Sequence, residues 1–434
     1  MICAISASQT IVLQPDSISL SCTIDGPAEG PLSYAWDFDG DGTTDSTAAS
    51  PSITDIGVYT PTVTVTDANN ASCTATLSGK LIVYSADGRV YVTAEANPNA
   101  KPPYATWATA ATSVKAGMDY LLSGGTMVLG DGTHTISGAS LDVRKDITIT
   151  SANGPESTFV VRSGFSSYIF LLANADAVLE GFTIQNDSTR NFDKGAVIRI
   201  DAGTVRNCRF LRNVFSGQGL VAAYGSGSKI ERCAFIGNYA DYNQGPTVKI
   251  SGDSARVSDC LFVCNTNKAT GDGSTGGGVL IANASGQVRN CTFVGNVSYA
   301  PVPAGIHNSS GGYVRNCILF GNMDYAGGAY TNANGIGSTP AKVSHSLLYP
   351  EEGIPAGLAK VFSADPLFRD AETGDYTLKT SSPCINAGTN LTYTAASIDL
   401  AGNPRIHNFG KRSGIVDLGC YESAATRPTT LFVK

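Results

Sequence analysis

Charged side chains are scarce in this sequence: 15% of 434 residues, with Lys and Arg together numbering 29. The net charge is −7 and the basic residues are dispersed, which excludes a nucleic-acid-binding surface. No apolar stretch approaches the about 20 residues that a bilayer helix needs, so no transmembrane segment is expected. Met1–Thr10 lacks the basic start and full apolar core of a signal peptide, so the chain reads as a mature or trimmed form. His residues number four, and no C-x-x-C or paired His spacing marks a zinc site. There is no Ser/His/Asp motif and no phosphate loop. Helix-length apolar stripes are missing from the middle of the chain, which excludes helical repeats there.

What is abundant is Gly, at 48 residues, and one recurring phrase. It reads VRNCRFLRN (Val205–Asn213), IERCAFIGN (Ile230–Asn238), VSDCLFVCN (Val257–Asn265), VRNCTFVGN (Val288–Asn296) and VRNCILFGN (Val314–Asn322). Fainter copies run over Leu179–Asp187 and Val343–Pro350. Cys208, Cys233, Cys260, Cys291 and Cys317 are 25, 27, 31 and 26 residues apart, a period that marks a repeat architecture. Ala196, Ile198 and Ile200 alternate with Val197 and Arg199, the period of a strand with one apolar face. Each unit therefore reads as one coil of a solenoid, with coils about 4.8 Å apart. Stacking predicts a Cys column, a Phe/Leu column and an Asn column. The closing Asn tolerates left-handed backbone, and its amide can bond the coils above and below. The pattern resembles the right-handed parallel β-helix of pectate-lyase-like proteins, from about Val90 onward.

Residues 1–84 read as a separate β-sandwich of alternating strands. YAWDFDGDG (Tyr34–Gly42) and GVYTPTVTVTDA (Gly57–Ala68) resemble the polycystic-kidney-disease (PKD) type of immunoglobulin-like domain. That resemblance implies an extracellular spacer with Trp36 as its core aromatic. Asp37, Asp39, Asp41 and Asp45 alternate around two glycines, a pattern that can converge on calcium; the Glu of a full calcium loop is replaced by Ala48. A solvated turn is the other reading of these aspartates.

Residues 85–423 form the solenoid domain in this reading, and 424–434 a tail. Ala108, Ala111, Val114, Met118 and Leu121 have helical spacing, which predicts an amphipathic helix capping the first coil. Trp107 is expected to pack in that cap. ADPLFRDAETGDYTLKTSSPCINAGTN, IDLAGNPRI and GIVDLGCYE resemble the C-terminal region of choice-of-anchor Q surface proteins. The fold class expected is all-β: a PKD-like sandwich, then a right-handed parallel β-helix with an N-terminal helix cap.

The five column cysteines read as thiols. Neighbouring strands can bring Cys22 to Cys73, and the tail can bring Cys384 to Cys420; such disulfides fit an extracellular setting. Family sequences resembling the tail carry small residues at the latter two positions, which favours that bridge.

The loops after each closing Asn vary most and carry Phe215, Tyr239, Tyr242, Tyr299, Tyr325 and Tyr330. A row of tyrosines at coil spacing can stack on sugar rings, or pin its own loops to the wall. Beside Ile198 and Ile200 an outward column is expected to hold Arg199, Ala223, Lys249, Leu280 and His307. Arg199 and Lys249, two coils or roughly 10 Å apart, can accept an acidic sugar. Arg199, Lys249 and His307 are the candidates for uronate elimination, which needs a base and a carboxylate-neutralising group. They can equally be surface cations and an incidental His. Hydrolysis needs two facing carboxylates, and none align. Arg206, Arg232, Arg289 and Arg315 read as a basic stripe beside the cysteines, and His345 as a structural turn residue.

The sequence thus points to a secreted or cell-surface protein that recognises extracellular polysaccharide or another surface polymer, with no reaction evident. Its rivals are a polysaccharide lyase acting on acidic glycans and a self-assembling subunit of a surface fibre.

Overall fold

The computed structural model describes residues 1–163, 168–185, 197–215, 217–240, 245–268, 276–300, 302–326, 329–331, 342–349, 358–390, 393–394, 396–406 and 414–423. The chain divides into two compact units, Met1–Gly130 and Asp131–Lys434.

The first unit contains the sandwich. One sheet joins Ile2–Ala7, Ile18–Asp25 and Ser52–Ile53; another joins Ser33–Asp37, Thr62–Thr66 and Ser72–Thr76. Strict alternation turns Ile18, Leu20, Val63 and Val65 inward around a fully buried Trp36. The indole N–H donates to the Ala48 carbonyl at 2.9 Å, so its polar edge is satisfied.

The expected long cap helix is replaced by two short pieces, Trp107–Thr109 and Val114–Asp119. Between them Ala110 is extended, and Ala111 exchanges backbone hydrogen bonds with Tyr91 and Thr93. Pairing with a strand therefore defeats helical periodicity here. Thr106 and Ser113 accept from the first turns as caps, which fixes both starts. Gly117 permits close packing: a Cβ there would lie 2.8 Å from Met127 and Val92. Trp107 rests against Tyr91, with ring centroids 4.7 Å apart, and keeps one side exposed.

The second unit is a parallel solenoid. Strands Arg209–Leu211, Ala234–Ile236, Leu261–Val263, Thr292–Val294 and Ile318–Phe320 pair in unbroken parallel register. The cysteine preceding each is fully buried, so the five-Cys column exists, and Ser346 continues it by accepting from the Cys317 amide at 3.2 Å. Phe210, Phe235, Phe262 and Phe293 stack at 4.6–4.7 Å with rings within 8° of parallel. Asn213, Asn238, Asn265, Asn296 and Asn322 form a buried ladder. Each Oδ1 from Asn238 onward accepts from the preceding Asn amide N–H and Nδ2, at 2.8–3.1 Å.

Several expectations shift by one position. The left-handed residues are Arg212, Gly237, Cys264, Gly295 and Gly321, each one before the ladder Asn. The Asn must point inward to bond its neighbours, so the preceding residue takes the turn. A second left-handed column lies just before the cysteines: Asn207, Arg232, Asp259, Asn290, Asn316 and His345. His345 thus holds the expected turn position. Arg232 stands in this column and not with Arg206, whose register partner is Glu231. The basic stripe is accordingly broken by acids: Arg206 pairs with Glu180, and Arg256 with Glu231.

The loops after the ladder also begin as structure. Val214–Phe215, Tyr239–Ala240, Thr266–Asn267, Val297–Ser298 and Met323–Ala326 make a further parallel sheet.

All eleven cysteines are free thiols. Neither the Cys22–Cys73 nor the Cys384–Cys420 bridge is present. Cys384 and Cys420 sit instead as apolar fillers in a core with Leu347, Phe368, Leu378 and Leu418. That core lies under the tail, which docks on the turn column. Arg405, with no exposed surface, bonds Asp259 at 2.7–2.9 Å, Glu422 at 3.3 Å and the Gly419 carbonyl at 3.0 Å.

The ladder predicts a specific loss. Asn265→Ala strands the Phe235 carbonyl and the Asn238 amide, and is expected to cost on the order of 3 kcal/mol, read as a lower urea midpoint at unchanged m-value.

Candidate functional site

On the outer wall of the solenoid, register places Leu171, Arg199, Ala222, Lys249, Leu280 and His307 in one column. The residue between Arg199 and Lys249 is Ala222, where Ala223 was expected: the neighbours of Ile198 and Ile200 are Val221 and Ala223. Arg199 and Lys249 are two coils apart as anticipated.

What the coil spacing alone did not reveal is the filling of the gap. Tyr224 follows Ala222 at strand period. The Arg199 guanidinium is 5.2 Å and the Lys249 ammonium 5.6 Å from the Tyr224 ring centroid. Gln218 closes the group: its Oε1 accepts from Lys249 Nζ at 2.7 Å and from the Tyr224 hydroxyl at 2.9 Å. Arg199 also donates to Asp201 at 2.7 Å and to the Tyr168 hydroxyl at 3.3 Å.

The electrostatics divide the two cations. The hydrogen bonds to Asp201 and then Tyr168 hold Arg199 above the ordinary guanidinium range. Burial pulls Lys249 below the ordinary lysine range. Burial, then Tyr168, raises the Tyr224 phenol, and Arg199 partly offsets this. Arg199 is therefore balanced by a carboxylate, whereas Lys249 meets a neutral amide. The cluster offers an aromatic ring, a cation not matched by an acid among the described residues, and an amide acceptor.

His307 is not drawn into this group. Leu280 separates it from Lys249, its Nδ1 is buried with no partner among the described residues, and burial lowers its proton affinity. Asp201 is the carboxylate that the described residues place here, engaged by Arg199; a facing second one is not among them.

Of the loop tyrosines, Tyr239 and Tyr299 have described side chains, and the two occupy different positions in their coils. Tyr239 shares an outward column with Val214, Thr266, Val297 and Met323, and is half-buried. Tyr299 sits two residues past Val297 in its coil, and Phe215 is buried inside. Tyr325 and Tyr330 oppose one another in an antiparallel hairpin, Met323–Ala326 with Ala329–Thr331; their side chains, and all of Tyr242, lie outside the described residues.

In the sandwich, Asp37, Asp39 and Asp45 bring carboxylate oxygens within 4.8 Å of one another. Asp37 accepts from the Gly40 and Gly42 amides, and Asp45 from the Phe38 amide. Asp41 is turned to Thr43, whose hydroxyl and amide hold its carboxyl below the usual range. Three of the four aspartates could thus hold a hard cation.

Two family models agree with this architecture. The PKD domain family matches residues 5–80, and the family of the right handed beta helix region matches residues 156–322. No curated protein matches the chain. Among solved structures, the family 28 exopolygalacturonase of Yersinia enterocolitica is 9% identical, with 76% of this chain and 89% of that one covered at a TM-score of 0.20. Pectate lyase PelI of Erwinia chrysanthemi, in complex with tetragalacturonic acid, is 11% identical, with 79% and 99% covered at a TM-score of 0.17.

If the three aspartates hold calcium, a hundredfold excess over Kd stabilises the sandwich by about 2.7 kcal/mol. Thermal unfolding followed by tryptophan fluorescence is expected to show this rise in the intact chain and in Asp41→Asn, and to lose it in Asp39→Asn.

Proposed function

We propose that this protein is secreted or surface-exposed and binds an acidic extracellular polysaccharide on the solenoid wall, at Arg199, Gln218, Tyr224 and Lys249. The observation that carries this reading is Tyr224 set between two cations, with Gln218 bridging its hydroxyl to Lys249. A pyranose ring can lie on an aromatic face while its hydroxyls meet polar edges. Lys249 supplies attraction for a uronate carboxylate that an amide only partly satisfies. Parallel coils repeat at a spacing comparable to a sugar unit, so a chain can run along the column. The match of residues 5–80 to a PKD domain supports the extracellular setting.

Elimination is the second reading, because burial pulls Lys249 toward the range of a general base. Against it, Arg199, the carboxylate-neutralising group, is already engaged by Asp201. Assembly into fibres remains a rival that sedimentation at high protein concentration tests.

Affinity electrophoresis in gels containing polygalacturonate or alginate is expected to retard the wild-type protein. Tyr224→Ala and Lys249→Ala are each expected to weaken binding about tenfold, with retardation falling as salt rises. Equal mobility of wild type and both variants across acidic and neutral glycans overturns the proposal. Unsaturated uronate product, seen by ultraviolet absorbance and lost in Lys249→Ala, would establish the lyase instead.

A further inference from the structure

The sandwich gathers three cysteines that neither the coil column nor the tail uses. Cys3, Cys22 and Cys73 occupy inward-facing positions on Ile2–Ala7, Ile18–Asp25 and Ser72–Thr76, and all pack partly exposed on the core around Trp36. Cys3 is the middle member: both the Cys73 and the Cys22 thiol perturb it, and all three belong to one core. Burial, followed by the Cys73 and Cys22 thiols, pushes Cys3 up to about 12, as expected of sulfurs crowded together.

Strand geometry separates the possible pairs. Cys3 stands opposite Ile24 and Ile5 opposite Cys22, so Cys3 and Cys22 are diagonal neighbours in one sheet. Diagonal positions are about 7–8 Å apart, beyond the usual Cα separation of about 4.4–6.8 Å in a disulfide. Cys73 belongs to the facing sheet, and its strand approaches Ile2–Ala7 within 8 Å, Cα to Cα. We propose that Cys3 and Cys73 form a disulfide that joins the two sheets, while Cys22 stays a thiol.

A small-molecule disulfide such as oxidised glutathione is the oxidant. One protein thiolate attacks it, forming a mixed disulfide and releasing one glutathione thiolate. The second protein thiolate attacks the mixed disulfide, forming the Cys3–Cys73 bond and releasing the other. Two protein thiols are oxidised, one glutathione disulfide is reduced, and the two protons pass to the released thiolates. The bond would tie down Ile2–Ala7, an edge strand whose Ile2 is 70% exposed. A free edge is a route to strand exchange between copies, and the bond closes it.

The test uses the full chain, incubated with oxidised glutathione, alkylated, digested without reduction and mapped by mass spectrometry. A peptide joining Cys3 to Cys73 with Cys22 alkylated is expected, in wild type and in Cys22→Ser. Oxidation should raise the sandwich unfolding midpoint by on the order of 10 °C in both, and by nothing in Cys3→Ser or Cys73→Ser. A peptide joining Cys22 to either partner, or three alkylated cysteines in folded wild-type protein, overturns the proposal.

Discussion

The solenoid depends on vertical bonding between asparagines. Each ladder Asn is fully or almost fully buried, and its amide bonds to backbone as well as to the next Asn. A buried amide without partners is costly, and a coil slipped by one residue would leave several in that state. The phenylalanines and cysteines beside them gain from burial but tolerate sliding far better, since apolar contact has little direction. Hydrophobic columns supply much of the stability; the Asn ladder dictates which residue sits above which.

That alignment is what makes the wall a surface with chemistry. Arg199 and Lys249 belong to coils with unrelated loops, yet parallel register sets both beside the same tyrosine ring. The same alignment sets Asp259, Asn290 and Asn316 in one left-handed column, with side chains available to the tail. Tyr393 donates to Asn290 at 2.7 Å, Asn316 exchanges hydrogen bonds with Thr389, and Arg405 reaches Asp259. Removing one partner of such a buried ion pair leaves a charge in apolar surroundings, so the tail and these coils stand or fall together.

The columns were legible in the sequence because a repeated phrase shows spacing directly. The sandwich was legible from its alternation and from YAWDFDGDG. The misses share one cause: a side chain's direction follows the residue chosen to turn. Placing left-handed backbone at the Asn, and Ala223 in place of Ala222 in the wall, are one-residue errors of this kind. Tyr224 could have been found, since it keeps strand period with Ala222 beyond the end of Val221–Ala223. Gln218 and the role of Arg405 could not, because both arise from contacts between segments without repeat spacing. The cap helix is present but shorter than its apolar spacing suggested, because a periodic apolar stretch does not reveal that a neighbouring strand claims the backbone at Ala111.

Solenoids usually gain or lose whole repeats at little cost, because each coil touches only its neighbours. Here the tail behaves as a ruler. Arg405 is anchored on the coil of Asp259, while Thr389 is anchored on the coil of Asn316, two steps further along. An extra coil between those anchors would move them apart by about 4.8 Å and pull the guanidinium off its carboxylate. Repeat number is thus held constant from Asp259 to Asn316, and the coil before Asp259 is tied to the same tail by a different means, the apolar core that Ala234 and Ile236 share with Cys384 and Leu418.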